Sequence, residues 1–318
     1  MPVRLIIDCD PGIDDVVALA LAVRSPELAP VAVTTSYGNA TLAATTRNAR
    51  YVLGLAGRRE IAVLPGSDRP LTRPLVTAPE THGPTGVGYA PVSAEQPVSP
   101  NPVVLLDVLA DLDEPVVLVT LGPLTNLAHA VARDEALVRR AVARHIGMFG
   151  NLHERGNTNR WADFNAWCDP EAAHRVLRAQ LSTEMVGLDV TRRMTLDAAE
   201  VERYRASGEG LVRWHGEALR FYVEFHRAQE RLDGCVVNDV LPVGELISPG
   251  LLGFERHHLA VDLDEGEHRG HTRLARGGAL TRVAMEVDIP VMRTLLTRVF
   301  GADAEHPTPK TGKGRRRP

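Results

Sequence analysis

Short apolar runs of strand length recur along the chain, at residues 3–7 (VRLII), 31–35 (VAVTT), 61–64 (IAVL), 116–121, 145–149 and 185–190. Between several of them lie longer stretches with helical periodicity, at 13–24, 41–56, 102–112, 124–143 and 170–180. Strands that alternate with helices need crossover connections, and these build a mostly parallel sheet covered on both faces. The pattern predicts a single α/β domain of Rossmann-like character, with a mostly parallel central sheet flanked by helices. In such sheets ligands bind beyond the carboxyl ends of the strands, so the residues that follow each strand are the place to look for chemistry.

Two irregular stretches interrupt the alternation. Between Pro65 and Pro102 nine prolines fall in 38 residues around Gly83, Gly86 and Gly88, and loops of that length are commonly functional. The second, Gly150 to Asn165, is rich in Asn and Gly. Residues 195–233 carry an amphipathic helical pattern that includes Trp214, Phe221, Tyr222 and Phe225. Beyond Pro307 the composition collapses to Lys, Arg, Gly, Pro and Thr, which predicts a domain over 1–307 and a disordered basic tail over 308–318.

That tail changes the reading of charge. The formal net charge is −4, but 34 of the 36 cations are arginine and both lysines, Lys310 and Lys313, lie in the tail with Arg315, Arg316 and Arg317. Residues 1–309 therefore hold 31 arginines against 40 acids, a formal −9. A body this acidic disfavours a nucleic-acid polymer or an anionic membrane as partner. The longest purely apolar run, Val16 to Val23, is eight residues, too short to span a bilayer. Three widely spaced cysteines, Cys9, Cys168 and Cys235, show no metal or disulfide spacing and predict a reduced, cytoplasmic protein.

The densest chemistry follows the first strand. Asp8, Asp10, Asp14 and Asp15 fall within eight residues, at the strand's end and in the first turn of the next helix. Helix capping explains one or two of them. Four carboxylates in so small a volume repel one another unless a cation sits among them, and oxygen-only ligands select a hard ion such as Ca²⁺ or Mg²⁺.

The run Asp8-Cys9-Asp10-Pro11-Gly12-Ile13-Asp14-Asp15 resembles the N-terminal signature of the inosine–uridine-preferring nucleoside hydrolase family. Leu121 to Asn126 (LGPLTN) is similar to that family's second motif. Gly156-Asn157 with Ala162 to Asn165 (ADFN) and Asp169 to Ala173 (DPEAA) resembles its third, and Asp233-Gly234-Cys235 through Asn238-Asp239 its fourth. The four run in family order over roughly residues 3–300. The resemblance implies the family's fold and a Ca²⁺-dependent hydrolysis of the N-glycosidic bond of ribonucleosides to ribose and free base. It implies Ca²⁺ bound by Asp10, Asp15, Asp239 and the backbone carbonyl of Leu121. Asp10 would also be the general base for the attacking water. Asp14 and Asn39 would meet the ribose 2′ region, and Asn157, Asp163 and Asn165, with the backbone near Met148, the 3′ and 5′ hydroxyls. His82 matches a loop position that approaches the base. The transition state would be oxocarbenium-like, stabilised by surrounding carboxylates and amide oxygens. Relatives are commonly homodimers or homotetramers.

The sequence departs from the family in two places. Many members carry His immediately before the last metal-binding Asp, where this chain has Asn238, and an amide cannot deliver a proton to the departing base. Asp163 stands where Glu is more usual, one methylene shorter. The first departure supports an alternative, a catalytically weak, metal-dependent pentose- or nucleoside-binding protein. A remoter one is a phosphatase of the haloacid dehalogenase type, suggested by Asp8-Cys9-Asp10. That chemistry wants a cation in mid-chain, and the body has no lysine. Tyr222, Phe225 and His226 read first as helix packing, and Asn126 as a turn former.

Overall fold

The computed structural model describes residues 1–301 apart from Gln180. Strand β1 (Val3–Cys9) leads into α1 (Ile13–Arg24), β2 (Leu28–Thr35), α2 (Leu42–Leu55) and β3 (Ala62–Pro65). The proline-rich excursion holds only the short α3 (Pro79–His82), after which come α4 (Val104–Ala110), β4 (Val116–Thr120), α5 (Thr125–Ala141) and β5 (Val142–Gly147). Then follow α6 (Phe164–Cys168), α7 (Pro170–Arg178), β6 (Thr183–Met185), α8 (Leu188–Thr191), β7 (Thr195–Asp197), α9 (Ala198–Arg205), α10 (Gly210–Glu230) and β8 (Gly234–Val236). The last elements described are α11 (Val240–Ile247), β9 (Leu252–Val261), β10 (Thr272–Leu274), β11 (Ala279–Val287) and α12 (Ile289–Phe300).

Nine strands form one sheet in the order β10-β9-β11-β6-β5-β4-β1-β2-β3. Every neighbouring pair from β11 to β3 is parallel, while β9 runs antiparallel to both β10 and β11. The two faces are covered by separate apolar layers, and β1 shows how the period of two divides them. Leu5, Ile7 and Cys9 enter one layer with α1, α10 and α11, and Ile6 enters the other with α4, α5 and α7. The run Val16 to Val23 has no polar face because α1 is enclosed by β2 and by α2, α10, α11 and α12.

The predicted α/β architecture is present, and several elements differ in detail. The apolar run at 185–190 is not one strand. The strand β6 ends at Met185 and α8 follows, with Val186 buried between them and Leu188 and Val190 buried in the helical turn, a case periodicity cannot separate from a strand. The long helix expected over 195–233 begins as strand β7, breaks between α9 and α10, and stops at Glu230. In α5 the helix is interrupted at Asp134 (φ −155°, ψ 83°), whose carboxylate accepts the Leu137 N–H and restarts it. The antiparallel β9, β10 and β11 had no counterpart in the sequence reading. No helix among the described residues is long and apolar enough to cross a membrane, and the 308–318 tail lies outside the described residues.

Candidate active site

Parallel strands bring their carboxyl ends to one edge of the sheet. There β1 delivers Asp8 and Asp10, β2 the turn to Gly38 and Asn39, β4 Leu121, and β5 Met148. A small antiparallel ladder of β7 with β8 brings Asn238 and Asp239 to the same edge, fixed where the Val237 N–H donates to the Met194 carbonyl (3.0 Å). A cavity of about 790 Å³ opens above this edge. Its lining includes Asp14, Asn39, His82, Leu121, Met148, Asn157, Asp163, Asn165, Asn238 and Asp239. Asp10 and Asp15 have no exposed surface and adjoin it, with the Asp10 N–H donating to Asp15 Oδ1 (3.2 Å).

These carboxylates crowd one another, and Asp10 is short of hydrogen-bond donors. The donor atoms of Asp14, Asp15 and Asp239 lie within 4.8 Å of one another, so the structure sets Asp14, expected as a sugar contact, beside two expected metal ligands. Asp10 Oδ2 accepts the Asn39 N–H (2.7 Å), but Asp10 Oδ1 is buried with no hydrogen-bond partner. The Asp10 carboxylate lies against two glycines: a Cβ at Gly38 would stand 1.9 Å from Oδ2, and one at Gly122 would stand 2.4 Å from Oδ1. Burial first, then the Asp15 charge, pushes the Asp10 carboxyl well above the usual carboxylate range. Burial and the Asp14 charge push Asp15 up to about 6, and burial followed by Asp14, Asp15 and Asp10 pushes Asp239 up. A buried, crowded, all-oxygen cluster with an unpartnered Asp10 oxygen fits a hard divalent cation.

Asn39 serves this cluster more than the cavity. Its Nδ2 donates to Asp15 Oδ2 (2.8 Å) and to the Asp10 carbonyl (3.3 Å). Asn165 Nδ2 donates to the carbonyls of Leu121 (2.7 Å) and Met148 (2.9 Å), tying the ends of β4 and β5 together. Asp163 caps α6 and accepts the N–H groups of Gly150 (2.6 Å), Asn165 (2.9 Å) and Ala166 (3.0 Å). Both its oxygens are thus engaged by backbone, and burial still raises it to about 6. Asn157 is exposed and accepts the Phe164 N–H through its Oδ1 (2.8 Å).

The opposite wall carries the histidines. His82 is buried, and its Nδ1 accepts the Ile13 N–H (3.0 Å), which fixes the neutral ring with its proton on Nε2. Burial lowers its pKa to about 4. Its ring lies 5.3 Å from that of Tyr222, and His226 lies 4.5 Å from the same ring on the next turn of α10. His226 Nδ1 donates to the Tyr222 carbonyl (2.8 Å), so its proton is on the other nitrogen from that of His82. Tyr222, Phe225 and His226, read first as packing, all line the cavity. Asn238 Oδ1 accepts the Thr191 hydroxyl (2.9 Å), which turns its amide nitrogen toward Asp14 Oδ2 (3.1 Å).

Sequence reasoning missed Thr191 and the cavity mouth formed by Arg192, Gln229, Glu230 and Arg231. Thr191 ends the short helix α8, whose first residues were read as part of a strand over 185–190, and no motif marks it. Asp8 behaves differently from its neighbours. Thr34 Oγ1 (2.5 Å) and Asn126 Nδ2 (2.8 Å) both donate to its Oδ1, and Asn126 Oδ1 accepts the Ser67 N–H (2.8 Å). Asp8 is therefore a structural anchor, and the paired-aspartate phosphatase reading loses its second carboxylate.

The profile of the inosine-uridine preferring nucleoside hydrolase family matches residues 5–294. The chain is 40% identical over 256 residues to the pyrimidine-specific ribonucleoside hydrolase RihA of Enterobacter sp. (strain 638), covering 79% of this chain and 81% of that protein. It is 35% identical over 268 residues to the inosine-uridine preferring nucleoside hydrolase of Crithidia fasciculata, covering 83% and 84%. Among solved structures, the plant nucleoside hydrolase PpNRh1 superposes with a TM-score of 0.86 at 29% identity, over 95% of this chain and 100% of that one. The purine-preferring ribonucleoside hydrolase of Gardnerella vaginalis gives 0.86 at 27%, over 95% and 99%.

Proposed function

This chain belongs to the inosine-uridine preferring nucleoside hydrolase family and hydrolyses N-glycosyl bonds of ribonucleosides, and we propose that it does so with Ca²⁺ and with Asp10 as general base. The observation that carries the proposal is the buried carboxylate cluster at the cavity's edge, with Asp10 Oδ1 left without a donor. Asp10, Asp15, Asp239 and the Leu121 carbonyl would hold the cation. When bound, it offsets the repulsion among the carboxylates and makes a nearby water more acidic.

The protein's own groups then act as follows. Asp10 Oδ1 takes a proton from the water that attacks the anomeric carbon. Asp14, oriented by Asn238, accepts a hydrogen bond from the ribose 2′-hydroxyl. Asn157, Asp163 and Asn165 frame the 3′ and 5′ side. Positive charge that develops on the sugar as the glycosidic bond breaks is stabilised by the carboxylates around it. His82 presents Nε2–H as a neutral donor toward the departing base and, being held by Ile13 through Nδ1, acts by hydrogen bonding rather than as an imidazolium acid. We place the protein in the cytoplasm, where its three buried free cysteines stay reduced, as a homodimer or homotetramer.

Purine and pyrimidine ribonucleosides assayed for released reducing sugar, with and without chelator, test this reading. Cleavage that is lost on chelation and returns with Ca²⁺ is the expected result. Cleavage indifferent to chelator would overturn the metal assignment. Ribose binding without cleavage of any nucleoside would restore the binding-protein alternative.

A further inference from the structure

A second cavity lies away from the active site, on the outer side of α2. It measures about 330 Å³ and is lined by Arg47, Arg50 and Tyr51 of α2, by Arg59 beyond its end, and by Ser93 and Gln96 of the irregular segment opposite. We propose that this cavity binds a phosphorylated small molecule through the guanidinium groups of Arg47, Arg50 and Arg59.

Charge is the first argument. In a body of formal −9, three arginines converge on one small concavity. Neither Arg50 nor Arg59 has an acidic partner among the described residues. Arg50 donates only to the Val63 carbonyl (3.3 Å), and the Arg59 guanidinium lies over Gly54, where an added Cβ would stand 3.1 Å from its Nη2. Guanidinium groups that are not spent on carboxylates suit phosphoryl oxygens, which they meet in a bidentate geometry.

Preorganisation is the second argument. The Arg47 side chain is only 9% exposed. Its Nη2 donates to the Thr85 carbonyl (2.6 Å) and to Asn48 Oδ1 (2.9 Å), and its Nε to the same Asn48 oxygen (3.1 Å). Asn48, fully buried, in turn donates to the carbonyls of Pro11 (2.9 Å) and Thr85 (3.0 Å). One cation of the cavity is thus fixed in place before any ligand arrives, a condition that favours affinity. Its remaining nitrogen, Nη1, meets Glu95 Oε1 at 3.3 Å, from a residue 45% exposed on its side chain. That carboxylate stands where an anion would, on a segment without regular structure, so it is a competitor that a phosphoryl group has to displace.

Size and lining narrow the ligand. The volume suits a sugar phosphate or a similar small molecule and is too small for a polymer. Tyr51, Leu55 and Val98 supply an apolar wall beside the arginines for its organic part.

The Ca²⁺-loaded protein, titrated calorimetrically with ribose 5-phosphate and with inorganic phosphate at fixed ionic strength in chloride, tests the site. Saturable one-site binding of ribose 5-phosphate is expected, with Kd at least tenfold higher in the Arg50→Gln/Arg59→Gln double variant and unchanged in Asp10→Asn. Both arginines are exposed, so the double variant keeps its fold, which its melting temperature checks. Glu95→Gln should tighten binding. Tighter binding of ribose 5-phosphate than of inorganic phosphate supports an organic phosphate, and equal binding supports the phosphoryl group alone as the determinant. Absence of saturation, or equal affinity in the double variant, overturns the proposal; loss of binding in Asp10→Asn alone would assign the ligand to the active site. None of these readings depends on nucleoside cleavage.

Discussion

Two sets of buried carboxylates lie along the same sheet edge and are treated oppositely by the fold. Asp8, Asp163 and Asp169 are each met by two or three donors: Asp8 by Thr34 and Asn126, Asp163 by three backbone N–H groups, and Asp169 by the Thr125 hydroxyl and the N–H groups of Leu71 and Ala172. Asp10, Asp15 and Asp239 crowd one another instead: Asp15 is met by the N–H groups of Asp10 and Gly12 and by the Asn39 amide, but Asp10 keeps an oxygen with no partner among the described residues. The first set completes the fold. The second leaves a deficit of positive charge that the protein itself does not make good, and a deficit held in a buried place is what a binding site for a cation consists of.

The sharpest way to break the comparison is to neutralise one member of the deficient set. Asp10→Asn keeps an oxygen for the Asn39 N–H and adds an amide that can donate to Asp15, so the ion-free protein should melt at a higher temperature. Its kcat/KM on nucleosides should fall by about 10³-fold or more, the loss expected for a general base. A variant that loses stability together with activity would put Asp10 in the structural set. Next in size is the cation. At Ca²⁺ a hundredfold above its Kd, wild type should gain about 2.7 kcal/mol over the chelated protein, read from denaturant midpoints. Asp10→Asn should gain much less, and an equal gain in both would place the ion elsewhere.

The structural set predicts the reverse pattern. Asp8→Ala leaves the Asn126 amide and the Thr34 hydroxyl buried without their acceptor, at a cost of about 1–3 kcal/mol. The kcat of the folded fraction should stay within a few-fold of wild type, and a fall of a hundredfold would move Asp8 into the catalytic set. A smaller effect is expected at Thr191→Val. It frees the Asn238 amide to flip and weakens its hold on Asp14, which should cost about 0.5–1.5 kcal/mol, or roughly two- to twelvefold in kcat/KM, with little change in melting temperature.

This division was only partly legible in the sequence. Asp10, Asp14, Asp15 and Asp239 stand in motifs, so the existence of a carboxylate site could be read, and the alternation of runs gave the parallel sheet that gathers it. Spacing alone did not separate Asp8 from Asp10, which only the family resemblance did, because the partner that distinguishes Asp8 is Asn126, 118 residues away. That Asp163 also caps α6 was hidden for the same reason, since its backbone donors become visible only once α6 and the Gly150 turn are folded. The strands β9 and β11 escaped because polar and charged residues interrupt them, as in Glu255-Arg256-His257-His258, so they lack the continuous apolar run of the buried parallel strands. Thr191 was lost with the helix that carries it.

His145 extends the comparison to a group that is neutral. It lies in β5 with no exposed surface, its Nε2 and Nδ1 each 3.0 Å from a threonine hydroxyl, Thr120 and Thr183. Hydroxyls can donate or accept, so the uncharged ring is satisfied on both sides, and burial lowers its pKa to about 3. The sign follows from linkage. Below about pH 6.5 the unfolded chain takes up a proton that the folded chain refuses, so stability falls with falling pH, by about 1.4 kcal/mol per unit, down to the folded-state value. Near pH 7.5 His145→Gln should shift the denaturant midpoint by no more than about 1–2 kcal/mol, since the amide can meet the same hydroxyls. Between pH 6 and 4, in saturating Ca²⁺, the variant's midpoint should fall less steeply than that of wild type. Identical slopes would mean that His145 charges inside the fold, and the saturated set would then hold a group that its two hydroxyls do not keep neutral.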